Sequence, residues 1–138
     1  MKQAVMLAPG EIQFYAVERP TPKDNEVLKQ TQRIGVCGSD IHVYHGLRPY
    51  TSYPVVQGHE VGGVVAELGK NVTGLKIGDK ITFMLQVTCG ECYPCKHGIY
   101  HICKSLKVMG FQTGGAAQEY FALPAENVLK LPDRMSLD

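Results

Sequence analysis

The chain has 138 residues, the length of one ordinary domain that can bury a hydrophobic core without covalent cross-links. Apolar residues make up 44% of it and charged residues 20%, so the composition excludes disordered and fibrous proteins. A formal net charge of +1 gives no electrostatic reason to expect a nucleic acid or an anionic membrane as a partner.

Glycine and proline, with 15 and 8 copies, divide the sequence into short segments, and no long stretch keeps an apolar period of 3.6 residues. This pattern predicts a mainly β architecture. At the start of the chain, residues 2–7 and 12–17 are predicted to form two strands around a tight turn at Pro9 and Gly10.

Four more strands are predicted further along the chain. Residues 27–36 form the first, although residues 29–33 place polar side chains on both of its faces. The valine-rich segment 61–69 is the second, with glycines where a bulge or a close backbone approach is expected. Residues 81–87 and 118–123 complete the set.

Two short helices are also predicted. One covers residues 39–44, where Ser39 or Asp40 is in a position to cap it, and the other follows Pro94 inside a cysteine-rich segment.

The sequence carries no sign of a membrane span or a secretory signal. No apolar run approaches 18 residues, and the N-terminal apolar patch is short and ends at Pro9, Gly10 and Glu11. We therefore expect a cytoplasmic protein with no membrane partner. In that reducing compartment, clustered thiols are metal ligands or catalysts more often than disulfides.

Four of the five cysteines lie in the segment CGECYPCKHGIYHIC, residues 89–103. Cys89, Cys92 and Cys95 follow one another at steps of three, which is the spacing of metal knuckles, and Cys103 comes after seven further residues. Disulfides between neighbours would close very small, strained loops, and a redox pair would leave two cysteines unexplained. Ferredoxin runs start alike but continue with three residues and Cys-Pro. The pattern favours tetrahedral zinc, with an iron–sulfur cluster and free thiols as the alternatives.

A four-cysteine zinc site has no open position for a substrate, so its role is structural. Four thiolates on Zn²⁺ carry a net charge of −2, which Lys96 and Lys104 are placed to offset. His97 and His101 are interpreted as solvent-facing. Structural zinc binds finger peptides with about 10–16 kcal/mol, so we expect a chelator to unfold this lobe and leave the separate β core folded.

A second set of metal-binding and polar residues is dispersed over two segments about twenty residues apart. It offers a thiolate, an imidazole and a carboxylate, which are the three side-chain types that zinc accepts, and catalytic zinc sites commonly combine three protein ligands with one open position. Taken singly, each residue also fits an ordinary packing role. The members are Cys37, Ser39, Asp40, His42, His59 and Glu60.

These motifs resemble those of a known family. Residues 58–72, GHEVGGVVAELGKNV, contain the zinc alcohol dehydrogenase signature of Gly-His-Glu followed by Gly63, Gly69 and Val72 at the expected intervals. CGSDIH at 37–42, GDK and the cysteine segment occur in the expected order. Over essentially all its length the chain resembles the N-terminal GroES-like catalytic domain of zinc-dependent medium-chain alcohol and polyol dehydrogenases. The resemblance implies a partly open β-barrel with short helices and a four-cysteine zinc lobe.

The resemblance also implies a role for each dispersed residue. Cys37 and His59 correspond to ligands of a catalytic zinc, and Glu60 to a third ligand in some members and a nearby carboxylate in others. Asp40 corresponds to the carboxylate that orients the histidine ligand. Ser39 and His42 correspond to a relay that takes the proton of the alcohol toward solvent.

The activity implied by the resemblance is hydride transfer from a secondary alcohol or polyol to NAD or NADP, with zinc as Lewis acid. Substrates of the sorbitol, threonine or butanediol type are expected, and the parent enzyme is expected to be a homodimer or homotetramer. The loop from Tyr44 to Tyr53, with Arg48 and Tyr50, is a candidate rim for a polar substrate. Gly38 lacks the basic side chain that some members carry near the cofactor phosphates, which leaves NAD and NADP both open.

Part of such an enzyme has no counterpart in this sequence. No two glycines are separated by a single residue, so the G-x-G-x-x-G fingerprint of a Rossmann domain is absent. We therefore expect residues 1–138 to be one domain of a longer two-domain enzyme, with 89–103 as its zinc lobe. Alone, the chain is expected to bind catalytic zinc weakly or not at all and to be inactive. The alternatives are a non-catalytic zinc-stabilised GroES-like binding module and an iron–sulfur electron-transfer protein.

Overall fold

A five-stranded antiparallel sheet is the centre of the computed structural model, which describes residues 1–49 and 51–137. Its strand order is β8-β3-β4-β5-β9, and a β1-β2 hairpin and a small β6-β7 pair lie beside it. The strands are β1 Lys2–Ala8, β2 Glu11–Ala16, β3 Glu26–Gly35, β4 Glu60–Leu68, β5 Lys80–Phe83, β6 Gln86–Val87, β7 Lys107–Val108, β8 Tyr120–Pro124 and β9 Val128–Lys130. The predicted mainly β class is confirmed, and the sheets do not close into a complete barrel.

Helices are few and short. The α-helices are α1 Gly38–Tyr44 and α2 Tyr93–Lys96, and single 3-10 turns cover Tyr100–Ile102 and Ala125–Asn127. Within residues 1–49 and 51–137 no helix is long and apolar enough to cross a membrane. Tyr50, expected at the substrate rim, lies outside the described residues.

Three apolar clusters form the core, and one of them includes the hairpin residue Met6. One packs around Phe83 and Leu123, one around Val43 and Phe111, and one joins Val27, Val65 and Ile81. The hairpin is attached by a backbone bridge from Met6 to Val55, so it covers the core near the loop that precedes β4.

The predicted strand over 81–87 is broken in two, and the break has a specific partner. The buried Asn127 side chain donates hydrogen bonds of 2.8 Å to the carbonyls of Met84 and Gln86, while the Met84 amide donates to the Asn127 carbonyl. These bonds satisfy the backbone groups that leave the ladder between β5 and β6.

The predicted cap of the first helix was wrong. Cys37, rather than Ser39 or Asp40, is the residue before the first turn of α1, and the Asp40 carboxylate reaches back to accept the Cys37 backbone amide at 3.0 Å. An acidic side chain three residues into a helix commonly makes this bond, which satisfies an amide that the helix cannot.

The sheet register explains why two segments twenty residues apart meet. Gly35, the last residue of β3, pairs with Glu60, the first residue of β4. Cys37 leaves β3 at the same end of the sheet at which His59 enters β4, so the segments on either side of this pair converge there.

Candidate functional site

Cys37, His59 and Glu60 form one of two groups of possible metal ligands. The Cys37 sulfur, a ring nitrogen of His59 and a Glu60 carboxylate oxygen all lie within 4.8 Å of one another. Cys37 and His59 are partly buried, while Glu60 is exposed at the sheet end. The group combines one soft sulfur donor with a nitrogen and an oxygen donor. Three protein ligands leave the fourth position of a tetrahedral zinc open, as catalytic zinc sites require.

Asp40 ties the two segments together. One carboxylate oxygen accepts the Cys37 amide, and the other accepts the Gln57 side-chain amide at 3.2 Å and lies 3.6 Å from His59 Nδ1. The carboxylate therefore links Cys37, at the start of α1, to Gln57 and His59, which precede β4.

The orientation of the His59 ring fits a metal on its other nitrogen. Nδ1 is buried, faces Asp40 and has no hydrogen bond within residues 1–49 and 51–137. Histidines that bind a metal through one nitrogen almost always donate the other N–H to a carboxylate or carbonyl. Asp40 is in place to accept that proton, so the residues present fit a bound zinc.

Ser39 and His42 lie on α1 beside this group. Ser39 Oγ is 3.5 Å from His59 Nε2, which places the hydroxyl next to the nitrogen that is free to bind a metal. His42 is exposed one helical turn further on, but in the described part of the chain no hydrogen bond joins it to Ser39. A proton passing between them would need a bridging water.

The Gly35→Ala substitution tests the position of the Glu60 carboxylate. A Cβ added at Gly35 would lie 2.8 Å from Glu60 Oε2 and 3.1 Å from Glu60 Cβ, so the carboxylate would have to move. We expect Co²⁺ affinity at the Cys37–His59–Glu60 group to fall about tenfold, in the range measured when groups that position metal ligands are altered. Absorption titration against a competing chelator measures this.

Gly38→Ala is the matched control. Gly38 directly follows Cys37, but a Cβ added there would have no atom within 4 Å, so no ligand has to move. Equal Co²⁺ affinities in the two variants would show that the Glu60 position does not matter to the metal.

A second substitution, Asp40→Asn, tests the carboxylate that faces His59. The amide keeps an acceptor for the Cys37 amide but loses the negative charge that favours the N–H of a metal-bound histidine. We expect Co²⁺ affinity to fall by about 10–100-fold, with zinc in the cysteine lobe unchanged. Asp24→Asn is the control, because Asp24 makes an exposed pair with Lys70. An unaltered affinity in Asp40→Asn would contradict the orienting role.

The four remaining cysteines form the second group, which we call the cysteine lobe, residues 89–103. Sulfur separations are 3.4 Å for Cys92 and Cys95, 3.5 Å for Cys89 and Cys103, and 3.9 Å for Cys89 and Cys95. A tetrahedron of sulfurs 2.3 Å from a zinc ion has edges of about 3.8 Å. The spacing therefore matches a single tetrahedral metal, and His97 and His101 are exposed and outside the group.

Backbone amides already favour thiolates in the lobe. The amides of Lys104 and Cys95 lower the pKa of Cys92 to about 6, and the Cys89 and Ser105 amides lower the pKa of Cys103. Burial instead raises the pKa of Cys95 to about 12. Because zinc binds the thiolate, its binding at Cys95 must displace a proton.

Sequence reasoning did not identify three residues that shape the Cys37 site. Gly35 leaves the space beside Glu60, Gln57 donates to Asp40, and the Phe111 ring packs 5.1 Å from the His59 ring. The sequence did offer a signal for Gly35, because a glycine two residues before a candidate ligand indicates a close approach of another group. Gln57 and Phe111 carried none, since their contacts depend on the tertiary fold.

Comparison with known proteins finds one matching domain family and relatives that align with almost the whole chain. The alcohol dehydrogenase GroES-like domain family matches residues 23–133. An uncharacterised zinc-type alcohol dehydrogenase-like protein of Haemophilus influenzae is 38% identical over 138 residues, covering 99% of this chain and 40% of that protein. L-galactonate-5-dehydrogenase of Escherichia coli K12 is 37% identical over 129 residues, covering 94% and 38% of the two chains.

A solved structure of an alcohol dehydrogenase is also similar to this chain in fold and sequence. The crystal structure of the alcohol dehydrogenase RspB of Escherichia coli CFT073, complexed with NADH, has a TM-score of 0.91 and 36% identity, covering 99% of this chain and 40% of that one. The chain thus spans about 40% of the length of the relatives that match it over its whole length.

Proposed function

Because the chain belongs to the alcohol dehydrogenase GroES-like domain family, we propose that it is the metal-binding catalytic domain of a zinc-dependent NAD(P) alcohol dehydrogenase. Its relatives at this level of identity include zinc-type and sugar-acid dehydrogenases, which supports an oxidoreductase as the parent protein. In this proposal residues 1–138 are one GroES-like domain and residues 89–103 its structural zinc lobe.

The observation that carries the proposal is the convergence of Cys37, His59 and Glu60. Their ligand atoms lie within 4.8 Å of one another and belong to a different part of the chain from the cysteine lobe. A zinc-stabilised binding module with no chemistry would need the lobe but has no use for a second, incomplete ligand set with an orienting carboxylate. The convergence therefore favours the enzyme over that module.

Zinc bound at Cys37, His59 and Glu60 would supply a Lewis acid that lowers the pKa of an alcohol. Asp40 lies 3.6 Å from His59 Nδ1, where it could accept the N–H of a metal-bound His59 and keep the ring turned toward the other two ligands. Ser39 lies beside His59 Nε2, where its hydroxyl can take a proton from the alcohol, and the exposed His42 can pass that proton to solvent through water.

Hydride transfer also needs a nicotinamide, and we place its binding outside these 138 residues. The sequence contains no pair of glycines separated by one residue, so it has no dinucleotide fingerprint. RspB, which this chain resembles over 99% of its length, is complexed with NADH, and this supports NAD or NADP as the oxidant. We expect no NAD(P)-dependent oxidation by the 138 residues alone.

For the substrate we propose a secondary alcohol or polyol. Support comes from L-galactonate-5-dehydrogenase, whose name describes oxidation at an inner carbon of a polyhydroxy acid. The partly exposed position of the ligand group leaves space for such a molecule. Assembly of the parent as a homodimer or homotetramer stays a prediction.

The test is a count of metals with variants that separate the two groups. The chain is equilibrated with zinc and titrated with a competing chelator; we expect one tightly held zinc and a second, weakly held one. Cys37→Ser should remove only the weak zinc, and Cys92→Ser only the tight one. Because three ligand atoms converge, the expectation of weak or no catalytic zinc narrows to weak binding, and absence of a Cys37-dependent metal would contradict the catalytic site. Iron with absorption near 400 nm would instead indicate an electron-transfer protein.

A further inference from the structure

Arg48 lies over an aromatic ring that packs against the His59 ring of the Cys37 site. Its guanidinium lies over the ring of Phe111, with Cζ 4.7 Å from the ring centroid, and the residue is exposed. Phe111 is itself buried and packs against Met6, Val43 and Val55. A cation over an aromatic face is attracted by the ring quadrupole, so this rigid ring positions the guanidinium.

The same ring places the cation close to the proposed metal. The Phe111 and His59 ring centroids are 5.1 Å apart, so Arg48 Cζ lies no more than about 10 Å from the His59 ring. A substrate that contacts both the ligand group and Arg48 would therefore need to span no more than about this distance.

Within the described residues the guanidinium of Arg48 has no ion-pair partner. Among residues 1–49 and 51–137, no carboxylate lies within ion-pair distance of it, and it donates no hydrogen bond through its side chain. Arg19 differs in one respect. Its guanidinium also lies over an aromatic ring, 4.3 Å from the Tyr120 centroid, but it forms an ion pair with Glu67. Both guanidinium groups therefore pack on an aromatic ring, but of the two only that of Arg48 has no carboxylate partner among the described residues and can bind an anion.

We propose that Arg48 is an anion anchor for the substrate, so that the enzyme acts on alcohols that carry a carboxylate or phosphate a few carbons from the reacting hydroxyl. The inference rests on the proposed function for the position of the hydroxyl, and on Arg48 and Phe111 for the anion. A guanidinium presents a planar fork that binds either oxyanion through two parallel hydrogen bonds, which an uncharged polyol cannot match.

The test compares charged and uncharged alcohols on the Co²⁺-loaded chain. The ligands are 3-hydroxybutyrate and glycerol 1-phosphate, with 1,3-butanediol and glycerol as uncharged counterparts. Cobalt d–d absorption reports a hydroxyl at the metal, and the NMR resonance of Arg48 Nε–H reports the anion. We expect the charged ligands to bind about tenfold more tightly than their counterparts at low salt and to shift the Arg48 resonance.

Two variants isolate the anchor. Arg48→Gln should remove the tenfold preference and leave binding of the uncharged alcohols unchanged, whereas Arg19→Gln should keep the preference, since Glu67 already occupies that cation. A preference for only one of the two oxyanions would identify the substrate group. An undiminished preference in Arg48→Gln would overturn the inference.

Failure of the proposed function gives a different result. If no alcohol alters the cobalt absorption, the metal site does not bind alcohols, and acetate and phosphate then test Arg48 alone through its resonance. A shift of that resonance in the parent chain supports the anion site, and the lack of any shift overturns it.

Discussion

Cys95→Ser is expected to release zinc from the cysteine lobe and unfold residues 89–103, while the five-stranded sheet stays folded. Between positions 89 and 103, Cys95 and Cys103 are the buried residues, so the lobe has almost no apolar core of its own. Structural zinc contributes about 10–16 kcal/mol in finger peptides, more than this lobe gains from any other interaction. Loss of one buried thiolate removes the ligand set that the metal requires.

Hydrogen exchange measured by mass spectrometry separates local from global unfolding. Peptides covering 89–103 should lose their protection about 100-fold or more in Cys95→Ser, while peptides covering β4 keep theirs. Cys37→Ser is the control, because it alters a cysteine of the other group and should leave the lobe protected. Simultaneous loss of protection in the lobe and the sheet would show that zinc holds the whole domain together.

Local signals predicted most of the strands. Pro9 and Gly10 mark the turn between β1 and β2, and Gly10 has the positive φ of 79° that such a turn favours. The short strands β7 and β9 were not predicted, because two or three residues carry no measurable periodicity. The break after β5 was missed because its cause, the Asn127 side chain, lies over forty residues away in the sequence.

The chemistry of the candidate site was easier to predict than its geometry. The residue types at Cys37, His59 and Glu60 indicated metal ligands, and the structure brings all three together. Their convergence follows from the pairing of Gly35 with Glu60, a register that no local pattern specifies. The same limit applies to the Arg48–Phe111–His59 contacts, which join three segments distant in sequence.

The first half of β3 shows how a misleading local signal arises. Lys29 is one of the polar residues that occupy both faces of this segment, yet the strand forms between β4 and β8 and buries the lysine completely. Its ammonium nitrogen is 3.2 Å from Thr31 Oγ1 and 5.5 Å from the Phe83 ring centroid. In the described part of the chain it has no carboxylate partner, so the fold accepts a cost here that propensity alone does not reveal.

Stability is therefore expected to depend on pH through Lys29. Burial lowers its pKa from 10.5 to about 7, so the folded protein binds fewer protons than the unfolded chain between these values. Unfolding takes up a proton in this window, and the free energy of unfolding rises with pH from about 7 to 10.5. At 1.36 kcal/mol per pH unit the full effect is about 5 kcal/mol, and below pH 7 the whole of it is lost.

Lys29→Met is expected to remove this dependence and stabilise the domain near neutral pH. Methionine fills a similar volume without a charge, so the free energy of unfolding at pH 6.5 should rise by about 2–4 kcal/mol, the Thr31 hydrogen bond being lost in exchange. Urea unfolding of both proteins from pH 6 to 10, with zinc present, gives the difference free of other titrating groups. Lys2→Met, at an exposed position of β1, should show no such difference. The cost of charging Lys29 disappears at high pH, so the two curves of unfolding free energy against pH must converge there. A difference that stays constant from pH 6 to 10 would contradict this account. It would mean that methionine stabilises by packing and that the fold does not hold Lys29 in a charged form at a cost.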